Sequence, residues 1–596
     1  MFVSSKSSRH VLLAVFGLAI CAAGMAELAT AQLAPAPPAD PEAASGIAAK
    51  PLVTAKRQMV VAANPLAADA GLEILRAGGS AVDAAIATQL VLNLVEPQSS
   101  GIGGGAFMLH WTNATRQLKS YDGRETAPQA ADPKQFLNAD GTPKSFPAAI
   151  LGGTSTGVPG TIALLETAYK SHGRLPWARL FEPAIKLADA GFAVSPRLNA
   201  LVSDPMSGGP NAFDATARNY FFDAGGKPWP AGHVLKNPAL AATLRTLSAN
   251  GATAFYNGAI AEGIVDTLTH AAIAPSNITS ADLAAYRIKQ RPPVCTTYRR
   301  HRICGMGPPS SGALTVAATL ALVEPFDLGS TPMNPAALHL IAEAEKLAFA
   351  DRDQYIADPD VVPAPMGMID RRYLAQRRAL IRADKAMPFA EAGTPPGIAA
   401  KRAGLDATVE AAGTSHVAII DAAGNAVALT TTIEFAFGAH KLTGGFLLNN
   451  ELTDFSFKPI DDQGRPIANA VGPGKRPRSS MAPTFVFAPN GRLMAVLGSA
   501  GGSEIIPHVV KTIVGLIDWK LDAQSAVDLP NFGSRNGPFE LETKLAGQLL
   551  GLKMALYGQA VRPLTAPSGL HAIVRRPNGL LEGGADPRRE GVARGD

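Results

Sequence analysis

The spacing of apolar residues predicts two helices near the start of the chain. Residues 64–97 place apolar side chains at helical intervals, and Gly78 and Gly79 separate two stretches. Glycine commonly ends a helix, and Ser80 followed by Asp83 is close to a capping box that begins the next one. Helical spacing also predominates in three later regions, which are 157 to about 290, 334–359 and 503–519.

Short strands predominate in the last third of the chain. Residues 415–433 predict two apolar strands joined by a Gly-Asn turn, and 483–502 and 571–591 repeat this arrangement. The first two strands are apolar on both faces, as in a sheet that is covered on each side. We therefore predict an α+β fold in which sheets lie between helical layers. Residues 385–413 lose periodicity and gain Gly, Pro and Ala, so we expect a flexible, exposed segment there.

The N-terminus resembles a secretory signal peptide. Basic residues precede the apolar stretch 11–26, and Ala-Thr-Ala at 29–31 is a typical cleavage site. A membrane anchor is the alternative, but the stretch is short for a span and no stop-transfer flank follows. We predict a signal peptide at 1–31, a flexible Ala/Pro-rich lead-in at 32–57, and export to the periplasm or the extracellular space. No other apolar run is long enough to span a bilayer.

The composition is that of a globular protein. Hydrophobic residues make up 47% and charged residues 17% of the 596, which indicates a large buried interior. The net charge is +5, from 54 basic and 49 acidic residues. This near balance gives no reason to expect a nucleic-acid partner.

Two of the three cysteines flank a predicted hairpin. If Arg299 and Arg300 form a two-residue loop, Tyr298 pairs with His301 and Cys295 lies opposite Cys304 in a non-hydrogen-bonded pair, where side chains come close. We predict a disulfide, because an exported protein meets an oxidising compartment. Two free thiols in the same hairpin are the alternative, since Arg-Arg is not a favoured turn of this kind.

A glycine-rich stretch invites a nucleotide-binding interpretation. Gly101, Gly103 and Ala106 fit G-x-G-x-x-A. A dinucleotide loop, however, follows a strand and opens a helix, whereas here a helix precedes and a strand follows. Close backbone packing is the better explanation of these glycines.

Thr414 is a candidate nucleophile at the junction between the flexible segment and a buried strand. No G-x-S-x-G elbow and no metal-binding His or Cys pattern occurs. Cleavage of the Gly413–Thr414 bond would free an α-amine, with a pKa near 8, beside the threonine's own hydroxyl. The residue would then hold both nucleophile and base. We expect His416, two residues later, to be structural.

Six motifs in this order resemble the gamma-glutamyltransferase (gamma-glutamyl transpeptidase) family of N-terminal-nucleophile hydrolases, from about 58 to 590. They are "GRETAP" (123–128), "PPSSGA" (308–313), "TSHVAIIDAAGNAVALTTTIEFAFG" (414–438), "LLNNELTDFS" (447–456), "KRPRSSMAPT" (475–484) and "GSAGGSEII" (498–506). The resemblance implies a four-layer αββα sandwich. It also implies self-cleavage between Gly413 and Thr414 into a large subunit, 58–413, and a small subunit, 414–596, which stay interleaved as one αββα domain.

The resemblance assigns the reaction machinery to four residues. Thr414 matches the nucleophile that accepts the γ-glutamyl group, and Thr432 matches the threonine whose hydroxyl supports it. Gly501 and Gly502 match the backbone N–H pair that binds the oxyanion. No cofactor and no metal are implied.

The resemblance also assigns substrate contacts. Arg124 matches the arginine that binds the substrate α-carboxylate, for which a guanidinium is suited because it binds in a fork. Ser479 and Ser480 match the pair that bonds to the same carboxylate. The positions that hold the α-ammonium group are matched by three acids, which would repel one another in an empty site: Glu434, Glu451 and Asp454.

Two positions depart from the family. The stretch 457–474, where many members have a lid with an aromatic residue, is of intermediate length and holds only Phe457. This bears on the balance between transfer and hydrolysis. Ser415 stands where many members have a second threonine.

The resemblance implies a γ-glutamyltransferase or hydrolase that acts on glutathione and related amides and passes the group to water, amino acids or peptides. One alternative is an amidase of the same fold, such as a cephalosporin (glutaryl) acylase. Another is a binding protein for γ-glutamyl compounds that does not process itself.

Overall fold

Two seven-stranded antiparallel sheets form the centre of the computed structural model. The structure describes residues 46–207, 209–398, 403–408, 410, 413–564 and 568–596. All of them belong to one unit, 41–596. The predicted signal peptide and most of the lead-in fall outside the described residues.

The first sheet contains, in spatial order, β1 (Val53–Ala55), β20 (Leu581–Ala585), β19 (His571–Arg575), β15 (Leu493–Gly498), β14 (Thr484–Phe487), β9 (His301–Gly305) and β8 (Val294–Tyr298). The second contains β21 (Val592–Gly595), β2 (Met59–Ala62), β10 (Thr414–Ile420), β11 (Ala426–Thr432), β3 (Gly105–Thr112), β4 (Gln117–Gly123) and β7 (Lys289–Arg291). The smaller sheets are β5 (Phe192–Ala193) with β6 (Val234–Leu235), β12 (Leu442–Thr443) with β13 (Phe446–Leu447), and β16 (Phe532–Gly533), β17 (Phe539–Leu541) and β18 (Val561–Pro563).

The helices of the described chain are α1 (Pro65–Arg76), α2 (Ala81–Val95), α3 (Phe146–Ile150), α4 (Thr161–His172), α5 (Glu182–Ala190), α6 (Pro196–Val202), α7 (Ala215–Phe221), α8 (Pro238–Asn250), α9 (Thr253–Tyr256), α10 (Ala259–Thr269), α11 (Ser280–Ala285), α12 (Gly312–Val323), α13 (Pro335–Tyr355), α14 (Arg371–Arg378), α15 (Ile505–Ile517), α16 (Ala523–Asp528), α17 (Thr543–Ala546) and α18 (Gln548–Leu556). Short 3₁₀ turns lie at Gly153–Ser155, Trp177–Phe181, Pro205–Ser207, Met366–Ile369, Glu451–Asp454 and Gly502–Glu504.

The alternation of side chains along β10 explains the layers. Val417 and Ile419 belong to a core that the second sheet shares with α1 and α2. Ala418 and Ile420 point the other way and pack between the two sheets with Phe485 of the first sheet. A third core joins the first sheet to α12, α13 and α15. The predicted four-layer αββα sandwich is therefore confirmed, and both faces of β10 are buried, as its apolar sequence indicated.

Several predicted elements are present. Helices α1 and α2 occupy the first predicted region, and the Ser80–Asp83 capping box is complete in both directions. The glycines that fit a nucleotide motif serve close packing, as expected: a Cβ on Gly103 would lie 2.1 Å from the carbonyl oxygen of Leu447. Among the described residues, no helix has both the length and the apolar character needed to cross a bilayer.

The cysteine hairpin has the predicted register. Tyr298 pairs with His301, Cys295 pairs with Cys304, and the two cysteines form a disulfide. Arg299 and Arg300 have φ values of 47° and 68°, so the loop adopts the mirror-image turn despite its unfavoured sequence. Asp518 and Glu324 hold Arg299 in place by hydrogen bonds to its side chain and backbone, at 3.0 Å and 2.9 Å.

The expectation of an exposed segment at 385–413 is wrong at two acidic residues. Phe389 and Leu405 are exposed, but Asp406 and Glu410 are buried, with 3% and 6% of their surface accessible. Arg478 forms ion pairs with both carboxylates inside the fold. The sequence pattern could not predict the burial of these acids, because Arg478 lies more than sixty residues further along the chain.

Candidate active site

The Gly413–Thr414 bond lies at the buried start of β10. Thr414 is directly opposite Thr432 of β11. The Thr432 hydroxyl donates a hydrogen bond to the carbonyl oxygen of Gly413 and accepts one from the backbone N–H of Glu434 at 2.7 Å. A hydroxyl can fill both roles at once. The carbonyl that a Thr414 hydroxyl would attack is therefore held and polarised by Thr432.

Gly413 has no space for a side chain. A Cβ placed there would lie 1.6 Å from the carbonyl oxygen of Glu434. Glycine at this position thus lets the Gly413–Thr414 peptide lie against the backbone that follows β11.

The glycine pair of the predicted oxyanion site follows β15 of the facing sheet. Gly498 ends β15 against the ring of His416, which a Cβ on Gly498 would approach to 2.4 Å. This contact brings the end of β15 to the start of β10. Gly501 and Gly502 have φ values of 131° and 54°, a region that favours glycine, and they precede α15. Backbone N–H groups at a helix N-terminus are suited to an oxyanion.

His416 has the surroundings of a structural histidine. The residue is fully buried, and its Nδ1 lies 2.8 Å from the hydroxyl of Thr430. Burial, with a smaller effect from His571, lowers the pKa of His416 well below its ordinary value. The ring is therefore neutral and packs between the sheets.

Arg124 is paired with two of the predicted ammonium-binding acids. Its Nη1 donates to Glu451 and its Nη2 to Asp454, the latter at 2.5 Å. The same guanidinium donates to the carbonyl oxygens of Pro477 and Arg478 at 3.2 Å and 2.7 Å. Arg124 thus orients the two acids and ties them to the segment that bears Ser479 and Ser480.

Like charges crowd this site, as the sequence indicated. Burial, followed by the neighbouring carboxylates Asp454 and Glu451, raises the pKa of Glu434 well above its ordinary value. The pKa values of Glu451 and Asp454 are also raised, again mainly by burial and against the effect of Arg124. Asn450 donates to Glu434 at 2.5 Å, which stabilises its charged form.

The two predicted serines differ in their contacts. The Ser480 hydroxyl donates to Glu410 at 2.5 Å and accepts from Arg352 at 2.6 Å. The Ser479 hydroxyl accepts from the N–H of Met481 at 3.2 Å. The backbone carbonyl of Ser479 receives the N–H of Ser311, at 2.7 Å, which anchors this segment to "PPSSGA".

The sequence reasoning missed several residues of the site. Glu125 follows Arg124 and Arg478 precedes Ser479 in the motifs quoted above. Their proximity to the site could therefore have been inferred from the sequence. Arg352 lies on α13 and Arg589 donates to the carbonyl of Thr414 at 3.0 Å, and neither carries a local signal. Among the described residues, no group of three or more His, Cys, Asp or Glu is arranged to hold a metal ion.

Known proteins resemble this chain over nearly its whole length. The glutathione hydrolase proenzyme of Escherichia coli K12 is 36% identical over 549 residues, which are 90% of this chain and 91% of that protein. The acylase ACY 1 proenzyme of Pseudomonas sp. SE83 is 35% identical over 570 residues, 94% of this chain and 97% of that protein.

Solved structures agree with these relatives. Cephalosporin acylase from Bacillus halodurans has a TM-score of 0.79 and 27% identity, covering 95% of this chain and 98% of that one. The gamma-glutamyltranspeptidase of Helicobacter pylori has a TM-score of 0.52 and 32% identity, covering 58% of this chain and 94% of that one. The family model described as gamma-glutamyltranspeptidase matches residues 67–595. The chain therefore belongs to the gamma-glutamyltranspeptidase family of enzymes.

Proposed function

We propose that the chain first cuts itself between Gly413 and Thr414. The Thr414 hydroxyl attacks the Gly413 carbonyl carbon, the C–N bond breaks, and the released amine takes a proton. Water then hydrolyses the resulting ester, which leaves a carboxylate on Gly413 and restores the hydroxyl. The hydrogen bond from Thr432 to the Gly413 carbonyl is the observation that carries this proposal, because it stabilises the negative charge that develops on that oxygen. The products are a large subunit, 58–413 after its lead-in, and a small subunit, 414–596.

The new N-terminus then acts as nucleophile and base in turnover. The α-amine of Thr414 accepts the proton of its own hydroxyl, which attacks the γ-glutamyl carbonyl and expels the amine of the donor. The N–H groups of Gly501 and Gly502 stabilise the tetrahedral oxyanion. Water or an acceptor amine attacks the Thr414 ester and frees the enzyme.

The predicted binding residues suit both ends of an α-amino acid. Glu434, Glu451 and Asp454 suit the α-ammonium group, whose arrival would relieve their mutual repulsion. Arg124, Ser479 and Ser480 suit the α-carboxylate. This combination supports glutathione and related γ-glutamyl amides as donors.

The stretch 457–474, where the family resemblance implies a lid, contains one aromatic residue. Phe457, the aromatic residue of the stretch 457–474, stacks on Phe136 with ring centres 4.8 Å apart. Its ring therefore packs against a buried residue of the proposed large subunit. We propose water as an acceptor, along with amino acids or peptides.

A pair of chromogenic anilides tests the donor. The cleaved enzyme should hydrolyse a γ-glutamyl anilide with a kcat/KM at least tenfold above that for a glutaryl anilide, because an ammonium group adds a charge-assisted contact worth about 1.5–3 kcal/mol. Preference for the glutaryl compound would contradict the proposed donor.

That opposite result would favour a second candidate, a glutaryl or cephalosporin acylase. The close structural match to cephalosporin acylase supports it. Three buried acids argue against it, because a glutaryl group has no ammonium for them to bind.

We also propose export through the signal peptide at 1–31. The Cys295–Cys304 disulfide supports an oxidising compartment. N-terminal sequencing of the protein from the periplasm or medium should begin at Gln32; retention of Met1 would contradict export by this route.

A further inference from the structure

Glu410 lies three residues before the proposed cleavage point and is buried in a built carboxylate site. Arg352 pairs with its Oε1, Arg478 donates to the same oxygen from Nε at 3.1 Å, and Ser480 donates to Oε2 at 2.5 Å. Burial opposes the charge on Glu410, but Arg352 and Arg478 outweigh it and lower its pKa from 4.5 to about 2. Two cations and a hydroxyl thus hold a charged carboxylate.

The same serine is proposed above to hold the donor's α-carboxylate. The Ser480 hydroxyl has one proton, and it already points to Glu410. Arg124 has most of its donors engaged with Glu451, Asp454 and two backbone carbonyls. A donor carboxylate that bonds to Ser480 would therefore compete with Glu410, and it would gain from cations in addition to Arg124.

Cleavage changes the charge balance around the two arginines. In the uncut chain Arg478 also pairs with Asp406 at 3.1 Å, and Arg352 pairs with Asp353 at 2.5 Å. Asp406 and Glu410 both belong to the segment that cleavage turns into a free chain end. When this segment withdraws, Asp353 is the carboxylate that remains, among the described ion-pair partners of the two buried guanidinium groups. An incompletely compensated buried charge favours entry of another anion.

We propose that Arg352, Arg478 and Ser480 form the subsite for a substrate carboxylate, and that Glu410 occupies this subsite until self-cleavage releases its segment. The ligand class is an acyl donor with a carboxylate at the end remote from the scissile amide. Its identity as a γ-glutamyl donor rests on the proposed function, whereas the carboxylate subsite would equally serve a glutaryl donor.

Binding to the uncut chain tests the role of Glu410. Thr414→Ala should trap the precursor, and Thr414→Ala with Glu410→Gln removes the internal charge while keeping the side chain's shape. By calorimetry, L-glutamine should bind the double variant at least about tenfold more tightly than the single one, because a competing occupant reduces apparent affinity. Glu391→Gln, an exposed glutamate of the same segment, is the matched control and should leave binding unchanged.

Three monoamides separate the carboxylate subsite from the proposed function. L-glutamine carries carboxylate and ammonium, glutaramate only the carboxylate, and 4-aminobutanamide only the ammonium. The gain from Glu410→Gln should appear with L-glutamine or glutaramate and not with 4-aminobutanamide. A gain confined to glutaramate would support the subsite and contradict a γ-glutamyl donor. Equal affinity of single and double variants for all three compounds would overturn the subsite.

The cleaved enzyme gives a second readout. Arg478→Gln should raise KM for a γ-glutamyl anilide about tenfold or more, since it removes a charged hydrogen bond to the donor, with a smaller change in kcat. KM for a 4-aminobutyryl anilide, which lacks the carboxylate, should stay the same. Equal rises in KM for both anilides would overturn the assignment, and normal self-cleavage of the variant shows that it has folded.

Discussion

At the scale of single residues, the hydroxyl of Thr432 is the most informative contact. It donates to the carbonyl oxygen of the bond that we propose is cut, from the strand directly opposite. Sequence resemblance assigned Thr432 to the support of the mature nucleophile. We propose a further role for Thr432 in self-cleavage, because its hydroxyl already holds the carbonyl oxygen of Gly413 in the intact chain.

Replacing this hydroxyl should slow self-cleavage. Thr432→Val keeps the shape and removes the donor, and loss of one such donor typically lowers a rate by about 10²–10³-fold. Thr432→Ser keeps the hydroxyl and should cleave within about tenfold of the parent. Denaturing gels of samples taken over time after synthesis measure both rates. Equal rates for the valine and serine variants would show that the hydrogen bond is not used.

The pH dependence of stability tests whether Glu125, in the buried acid cluster, holds a proton in the folded chain. Burial raises its pKa from 4.5 to about 8, although Arg124 opposes this. Between pH 4.5 and about 8 the folded chain keeps a proton on Glu125 that the unfolded chain releases. The free energy of unfolding therefore falls as pH rises through this range.

Glu125→Gln should remove that dependence. On the uncut Thr414→Ala background, the melting temperature of the variant relative to its parent should increase as pH rises from 4.5 to 8. Thermal unfolding at several pH values measures the difference. A difference that stays constant across this range would mean that Glu125 does not hold a proton in the folded chain.

At the scale of elements, the cysteine hairpin shows how far the pattern alone could go. Counting outward from Arg299 and Arg300 fixed the register of β8 and β9 and the pairing of Cys295 with Cys304. The sequence spacing could not predict the two positive φ values of this loop. Asp518 and Glu324, which hydrogen-bond to Arg299, come from distant segments of the chain.

Removing the disulfide should destabilise the chain without preventing its folding. Replacing both cysteines by serine should lower the free energy of unfolding by about 2–3 kcal/mol, because a loop closed by a short separation is freed in the unfolded state. Denaturant titration of the uncut chain measures this. Reductant should reproduce the loss in the parent and have no effect on the serine variant; an equal effect on both would contradict a role for the bond.

The segment 385–413 marks the limit of sequence reasoning about elements. Its composition predicted exposure, which holds for Phe389 but fails for Glu410. Helices and strands follow from local spacing, as β10 and α2 show. The burial of an isolated acid depends on cations that folding brings from elsewhere, here Arg352 and Arg478.

At the scale of the whole molecule, the two proposed subunits are interleaved. Strand β10 of the proposed small subunit lies between β2 of the large subunit and β11, and β11 pairs in turn with β3 of the large subunit. The sheet therefore stays continuous when the Gly413–Thr414 bond is cut. Apolar strands predicted the layers, and the family resemblance implied that both subunits form one interleaved αββα domain. The order in which their strands alternate, β2, β10, β11 and β3, could not be predicted from the sequence.

The central claim is self-cleavage that creates the nucleophile, and one gel tests it most directly. The purified chain should elute as one species in native gel filtration and give two bands under denaturing conditions, with the smaller beginning at Thr414 by N-terminal sequencing. The Thr414→Ala variant should give a single uncut band and no turnover of a γ-glutamyl anilide. A single uncut band from the parent chain, or two bands from Thr414→Ala, would contradict the claim.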